Sequence, residues 1–518
     1  SPIPSGDRKM ARQLIACLRS NGYDVKLISH LKSREPLGLR HKQIIIKNRS
    51  DKIIERLIKS YLEADSWRPD VWFTYHMFYK APDWLGPAIS KALKIPYVIA
   101  EASHAPKRSK GEWSFNQEQV DAIVRDIGKF VFDNAESLAR MAVEETEMGS
   151  YDDKVLKNKG KARVIWNNLK DKKSRGVIGE DTDTNLVFVA KPMGVVAAVT
   201  PVTNPIVTPM CNGMFALKTG NAVIFASHPK AQKCAEYLTL EFMKIVKSHN
   251  GPDNLIQVVT NGSVEKTQQL MQSADVVVAT GGGAMVKSAY SSGKPSFGVG
   301  AGNVPVIIDR NIDLQEAVEK IVDGASFDHG IICSHEQFVI APEENFDKTI
   351  ELFTNTGKVW FTDNQEQIQK LREVVFQDGY LNKDVVGKSA CDVGKMAGID
   401  VPESSRLILL PADGSGTEDV LAKEKLCPVI AIVPYSTFEE AVKMAKANLL
   451  VEGAGHSAAL HSNNDENIQK AGVELPISRL VVNQPSSTSA GGSLTNGFAP
   501  TTTLGCGSWG GNSISENL

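Results

Sequence analysis

From residue 186 to residue 483, short apolar runs alternate with longer stretches of helical periodicity. Runs fall at 186–190, 195–199, 222–226, 255–259, 275–279 and 295–299. Between them, helical spacing is read at 208–217, 230–248, 263–272 and 283–290. The alternation predicts a parallel sheet built in a dinucleotide-fold pattern. A second series starts at Val304-Pro305-Val306-Ile307-Ile308. It continues through strands at 337–341, 406–410, 428–433, 457–461 and 479–483. The fold class expected is therefore α/β. Ahead of these series, Val120, Ile123, Ile127 and Val131, then Leu138, Met141 and Ala142, recur at helical spacing as packing faces.

Residues before about 110 have another character. Trp67, Trp72, Phe73, Tyr75, Phe78, Tyr79 and Trp84 cluster there. Helices are expected near 7–20, 51–64 and 86–93, and strands at Val25 to Ile28, Val71 to Thr74 and Tyr97 to Ala100. No strand precedes the first helix, so this unit reads as truncated. The composition shift sets a boundary at 110–115. The opening Ser1-Pro2-Ile3-Pro4 is neither a leader nor an initiator methionine, and the chain is read as starting inside a longer product.

With 518 residues, the length gives a prior of about three structural units. A net charge of −2 supplies no global field for nucleic acid or an acidic membrane. No apolar run approaches the ~18–20 residues of a membrane span. The seven cysteines are Cys17, Cys211, Cys234, Cys333, Cys391, Cys427 and Cys506, odd in number and without a CxxC. A disulfide framework or a zinc site is not expected, and a cytoplasmic setting is. In that setting a single cysteine can serve as a nucleophile.

Cys333 sits in Gly330-Ile331-Ile332-Cys333-Ser334-His335-Glu336-Gln337, after two apolar residues and before a polar turn and a strand. Taken alone, a buried structural cysteine is the default. Its context is richer. Thr200-Pro201-Val202-Thr203-Asn204-Pro205, Lys218-Thr219-Gly220-Asn221-Ala222-Val223, Thr280-Gly281-Gly282 and Glu424-Lys425-Leu426-Cys427-Pro428-Val429 occur in order around it. Together they resemble the aldehyde dehydrogenase superfamily over about residues 113 to 518. The resemblance implies a Rossmann-like cofactor domain at 113–303 and an α/β catalytic domain at 304–484. It also implies a C-terminal segment, 485–518, that returns to the cofactor domain and reads as loop.

The resemblance implies roles. Cys333 attacks the aldehyde and becomes a thioester, with NAD or NADP as oxidant. Asn204 donates to the oxyanion beside the Cys333 backbone N–H; alone, it would read as a turn residue before proline. Glu424 binds the nicotinamide ribose; alone, it would read as a surface charge. Thr200 and Pro201 open the cofactor cleft. Ser227-His228-Pro229 lies near the adenosine ribose. Thr280, Gly281 and Gly282 offer bare N–H groups to the pyrophosphate.

Hydrolytic relatives carry a water-activating glutamate in Glu-Leu-Gly-Gly-Lys. Aligning Gly298-Val299-Gly300-Ala301-Gly302-Asn303-Val304-Pro305 on Pro305 puts Val299 in its place. Valine accepts no proton, so the thioester is left for a thiol such as coenzyme A. That segment, Cys-Ser-x-Glu-Gln, Glu452-Gly453-Ala454-Gly455-His456-Ser457 and Leu504-Gly505-Cys506-Gly507-Ser508-Trp509-Gly510 resemble CoA-acylating members. These include the aldehyde half of aldehyde-alcohol dehydrogenases and acylating sulfoacetaldehyde dehydrogenases. Sulfoacetaldehyde is the substrate so implied. His456 is a candidate proton shuttle, or equally a histidine capping a strand. His335, two after the nucleophile, stands where relatives have a small residue and is expected to crowd the site or donate a new hydrogen bond.

Residues 1–112 resemble the N-terminal fragment of a GT-B glycosyltransferase through Pro4-Ser5-Gly6-Asp7-Arg8, Tyr75-His76, Lys80 to Pro87 and Ala100 to Arg108. The reading is an NAD(P)-dependent oxidation of an aldehyde, with CoA, to an acyl-CoA. The alternatives are a hydrolytic enzyme and an inactive fusion serving as an oligomeric scaffold. Expected partners are a small-molecule aldehyde, CoA and further copies of the chain. No metal, nucleic acid or membrane is expected.

Overall fold

The computed structural model describes residues 6–35, 39–63, 66–78, 81–103 and 116–504. The expected boundary at 110–115, Pro4-Ser5, Lys80, His104 to Arg108 and Gly505 to Gly510 with Cys506 lie outside the described residues. The chain divides into two compact units, residues 1–116 with 175–191, and residues 117–174 with 192–518.

The first unit holds helices Gly6–Ser20, Arg40–Leu62 and Gly86–Leu93 and two parallel strands, Trp72–Phe78 and Tyr97–Ser103. Its small core packs Leu85, Ile89 and Leu93 with Tyr61, Trp67 and Trp72. Asp83 gathers part of the aromatic cluster. It accepts from Trp72 Nε1 (3.3 Å), Tyr97 Oη (3.0 Å) and the backbone N–H groups of Leu85 and Gly86 at the helix start. Residues 23–35 form no regular element, so the strand expected at Val25 to Ile28 is absent. A lone extended run has no partner for its backbone groups. The unit also contains an antiparallel hairpin, Gly176–Asp181 with Leu186–Ala190.

The second unit begins with helices Gln117–Asp133, Ala135–Thr146 and Tyr151–Leu169. A five-stranded parallel sheet follows, in the order 256–258, 222–227, 195–200, 276–280, 296–299. The chain builds outward from 195–200 in one direction, then restarts on its other side at 276–280. That reversal opens a crevice at the C-terminal strand ends, where dinucleotides bind in such sheets. The second sheet is seven-stranded and parallel, in the order 359–361, 407–411, 429–435, 336–342, 304–308, 457–461, 479–482. Successive residues of its central strands feed two cores on opposite faces. Ile307, Phe338, Ile340 and Ala431 lie on one face, and Val306, Ile308, Val339 and Ile432 on the other. Both faces are therefore covered, as the unbroken apolar runs require. No helix among the described residues is long and apolar enough to cross a membrane.

Candidate active site

The two sheets contribute opposite ends. Thr200, Ser227 and Thr280 close strands of the five-stranded sheet. Cys333, Asn303 and His456 instead precede strands 336–342, 304–308 and 457–461. The approach to Cys333 is a sharp kink. Asp328, His329 and Gly330 are all left-handed, with φ of 54°, 54° and 64°. Two non-glycine residues there are strained. Asp328 is fully buried and its side chain offsets that strain. It pairs with Lys154 (3.0 Å) and with Lys157, and accepts from the Ser150 N–H (2.9 Å).

The Cys333 thiol lies 3.3 Å from His456 Nε2, and His456 Nδ1 lies 2.7 Å from Ser457 Oγ. Burial pushes the thiol up to about 12, and the Glu424 carboxylate adds to this, while Lys161 and Lys157 oppose it. Burial, with help from Arg479, holds the His456 imidazole down to about 3. At neutral pH this is a neutral thiol facing a neutral base.

Glu424 is held beside Cys333 by glycine geometry. Gly302 donates its N–H to Glu424 Oε1 at 2.7 Å. A Cβ on Gly302 would stand 1.9 Å from the Cys333 carbonyl oxygen, so only glycine lets the two segments approach. Burial raises Glu424 to about 7 against the pull of that N–H. Glu452 accepts the Glu424 N–H at 3.0 Å. Asn303, fully buried, donates to the carbonyls of Ala422 (2.6 Å), Glu452 (3.2 Å) and Asn448 (3.3 Å). It thereby ties the strand-entry turn to both flanking loops.

A row of lysines lines the other wall. Lys154, Lys157 and Lys161 share one face of helix Tyr151–Leu169. Lys157 donates to Asn204 Oδ1 at 2.9 Å. Lys161 donates to the Gly491 carbonyl at 2.9 Å, and burial holds it down to about 8. Arg479 donates to the carbonyls of Ala490 (2.7 Å) and Ala499 (3.0 Å) and lies over the Phe498 ring.

The residues expected to hold a dinucleotide line the crevice of the five-stranded sheet. The Thr200 carbonyl accepts the His228 N–H at 3.1 Å, joining two strand ends. Pro201 follows Thr200 directly. His228 Nδ1 caps the short helix that starts at Pro229 by accepting from Lys230 N at 3.2 Å. Gly282 precedes helix Gly283–Tyr290, and a Cβ on either Gly282 or Gly283 would meet open space. Thr280 Oγ1 is buried without a partner, but the Gly281 N–H is not bare as expected, because it donates to the Val299 carbonyl at 3.1 Å. Exposed glycine backbone at a helix start, over an unsatisfied hydroxyl, fits a pyrophosphate.

One expectation is corrected. His335 neither crowds the thiol nor donates into the site. It is fully buried, and its Nδ1 lies 2.7 Å from the Ile332 carbonyl, closing the turn that carries Cys333. Lys157, Lys161, Asp328, Asn303 and Arg479 were not singled out in the sequence. The available signal was the spacing of Lys154, Lys157 and Lys161, which ordinarily marks a solvated helix face.

The family described as "Aldehyde dehydrogenase family" matches residues 90–369. The chain is 53% identical to succinate-semialdehyde dehydrogenase (acetylating) of Clostridium kluyveri, over 83% of this chain and 94% of that one. It is 40% identical to sulfoacetaldehyde dehydrogenase of an Acholeplasma species, over 78% and 84%. Among solved structures, an acetylating aldehyde dehydrogenase from Geobacillus thermoglucosidasius superposes with a TM-score of 0.74. The two are 35% identical, over 78% of this chain and 89% of that one. The glycosyltransferase resemblance of residues 1–112 gains no support from these comparisons.

Proposed function

The chain belongs to the aldehyde dehydrogenase family, and from this premise we propose that it converts a short anionic aldehyde to its CoA thioester through Cys333. The observation that carries the reading is double. Cys333 faces a neutral base at 3.3 Å, and the position expected to activate water is Val299, a buried hydrocarbon.

His456 takes the thiol proton as Sγ bonds to the aldehyde carbon, and Ser457 Oγ steadies the far side of the ring. Because the thiol is held high, deprotonation accompanies attack instead of preceding it. Asn204 Nδ2 and the Cys333 N–H then stabilise the oxyanion. NAD(P)+, when bound, supplies the two-electron acceptor that turns the thiohemiacetal into a thioester. Glu424 would hold the nicotinamide ribose by accepting from its hydroxyls. His228, Pro229, Thr280 and Gly282 would hold the rest of the dinucleotide, with Gly281, whose N–H is committed to the Val299 carbonyl, shaping the turn. With no water-activating carboxylate at 299, the CoA thiol attacks the acyl carbon. His456, having passed its first proton to solvent, takes the CoA thiol proton as the new C–S bond forms, and returns it to Cys333, which leaves as thiolate.

The sulfoacetaldehyde expectation widens to a class. The names of two relatives specify succinate semialdehyde and sulfoacetaldehyde, both short aldehydes with an anionic end. Lys161 supports this class here. It is a cation close enough to Cys333 to favour its thiolate, and its hydrogen bonds go to the Gly491 and Gly492 carbonyls, not to a carboxylate. Homo-oligomerisation is supported by the hairpin 176–190. Val177, Ile178, Leu186, Val187, Phe188 and Val189 are all exposed on it, and two strands alone are marginal in water.

The test is NAD(P)H formation from succinate semialdehyde, sulfoacetaldehyde and acetaldehyde, with and without CoA, using native protein and Cys333→Ala. The expected result is sustained turnover that needs both CoA and Cys333, with the anionic aldehydes preferred. Sustained turnover without CoA would overturn the Val299 argument. Equal use of acetaldehyde would overturn the anionic class. Intact cofactor binding with no turnover would favour an inactive scaffold.

A further inference from the structure

The oxyanion role of Asn204 requires a particular orientation of its amide. A primary amide has one acceptor end and one donor end, nearly identical in shape. Flipped, Asn204 would present a carbonyl lone pair to the developing oxyanion and oppose the reaction. Something must therefore hold the amide one way round.

Lys157 Nζ lies 2.9 Å from Asn204 Oδ1. An ammonium has only hydrogens to offer, so the amide end that faces it must be the carbonyl. Nδ2 is thereby turned away from the lysine. One of its hydrogens reaches Thr203 Oγ1 at 3.3 Å, and the other is left for a substrate. Lys157 is itself immobilised. It is buried, and it shares the Asp328 carboxylate with Lys154. Asp328 also accepts from the Ser150 N–H, and its own N–H donates to Asp153 Oδ2, which pairs with Arg406 at 2.7 Å. Asp328 belongs to the left-handed kink that leads into the Cys333 turn. A single carboxylate thus registers the nucleophile's turn and, through Lys157, the amide opposite it.

We propose that Lys157, anchored by Asp328, is a positioning residue that fixes the Asn204 amide with its N–H face toward the reacting carbon. The proposal rests on the reading of Asn204 as an oxyanion donor given above. An uncharged side chain at 157 removes the preference for one amide orientation and leaves Asp328 with one lysine instead of two.

The test is a double-mutant cycle on the acylation step alone. Native protein, Lys157→Met, Asn204→Ala and the double variant are mixed with NAD(P)+ and succinate semialdehyde without CoA. The rates of the NAD(P)H burst and of acyl mass appearing on Cys333 are followed. Asn204→Ala is expected to slow both by about 100-fold. Lys157→Met is expected to slow both by about 10-fold or more, with KM for NAD(P)+ within about threefold of native. The double variant should be no slower than Asn204→Ala alone, because a lysine that acts only through Asn204 has nothing left to position. Lys157→Arg, which keeps a cationic donor, should recover most of the rate. Losses that multiply in the double variant would overturn the proposal, as would a native burst in Lys157→Met. A native burst in Asn204→Ala would instead sink the oxyanion reading, and the proposal with it. Should Lys157→Met not fold, Lys157→Gln takes its place in the same cycle with the same expected pattern.

Discussion

At neutral pH Glu424 is poised between two charge states, because burial lifts it to about 7. Only the carboxylate accepts from both ribose hydroxyls, so falling pH should weaken cofactor binding. Between pH 8 and pH 6 the ionised fraction drops about tenfold, and KM for NAD(P)+ should rise by about that factor. Glu424→Gln should show a high KM that no longer responds to pH; a retained pH response would place the titration elsewhere. His456 behaves in the opposite way. Held down to about 3, it stays a neutral base across this range and adds no acid limb to the profile. His335 is structural, and His335→Ala should cost about 2–4 kcal/mol of stability through the cavity that the fully buried ring leaves, while the Ile332 carbonyl keeps the backbone N–H of residue 335. The acylation burst should keep its native rate, and a slowed burst would return His335 to the chemistry. Cys333, Glu424 and His456 stand in recognisable motifs and were legible in the sequence. Lys157 and Lys161 were not, because lysine is seldom buried and its spacing cannot tell a solvated face from a charged wall.

Strand 336–342 opens with a buried acid. Glu336 accepts the Ser486 N–H at 2.6 Å through Oε1, while Oε2 has no partner. Burial raises it from 4.5 to about 8. A carboxyl held higher in the folded state contributes stability that is complete below pH about 4.5. That contribution is lost as pH climbs through about 8. Glu336→Gln, which keeps the acceptor but cannot ionise, should therefore gain on the native protein as pH rises from 5 to 8, by about 3.5 kcal/mol. A constant gap in thermal midpoints across that range would refute it. Asn303→Ala removes three bonds that join the loops carrying Glu424 and His456. It should raise KM for NAD(P)+ and lower the midpoint together, whereas a change in the midpoint alone would make Asn303 structural only. The strands at 195–200, 222–227, 276–280, 304–308 and 429–435 were readable because each is an unbroken apolar run up to at most a polar last residue. Strand Gly176–Asp181 was not, since two glycines and two acids interrupt it. The expected strand at 25–28 failed for the converse reason, having apolar residues but no neighbour to pair with.

For the whole molecule, the hairpin 176–190 carries the assembly prediction. Replacing Val187 and Phe188 with lysine should yield a smaller particle by light scattering, with the far-UV circular dichroism unchanged. An unaltered mass would exclude the hairpin from the interface. The α/β class was legible from the alternation alone, and the reaction from motifs strung along that alternation. What the sequence withheld was the meeting of ends, in which C-terminal strand edges of one sheet supply a dinucleotide crevice and N-terminal edges of the other supply the chemistry. Such a meeting depends on packing between segments far apart in the chain.

Val299, an inert hydrocarbon, has a thermodynamic consequence. Hydrolysis would discharge the thioester as a free acid and make the oxidation run one way. Passing the acyl group from one sulfur to another instead conserves most of the energy released in oxidising the aldehyde. The catalyst then works as readily as an acyl-CoA reductase, its direction set by the ratios of reduced to oxidised cofactor and of acylated to free CoA. Mixtures started from either side should converge on one mass-action ratio.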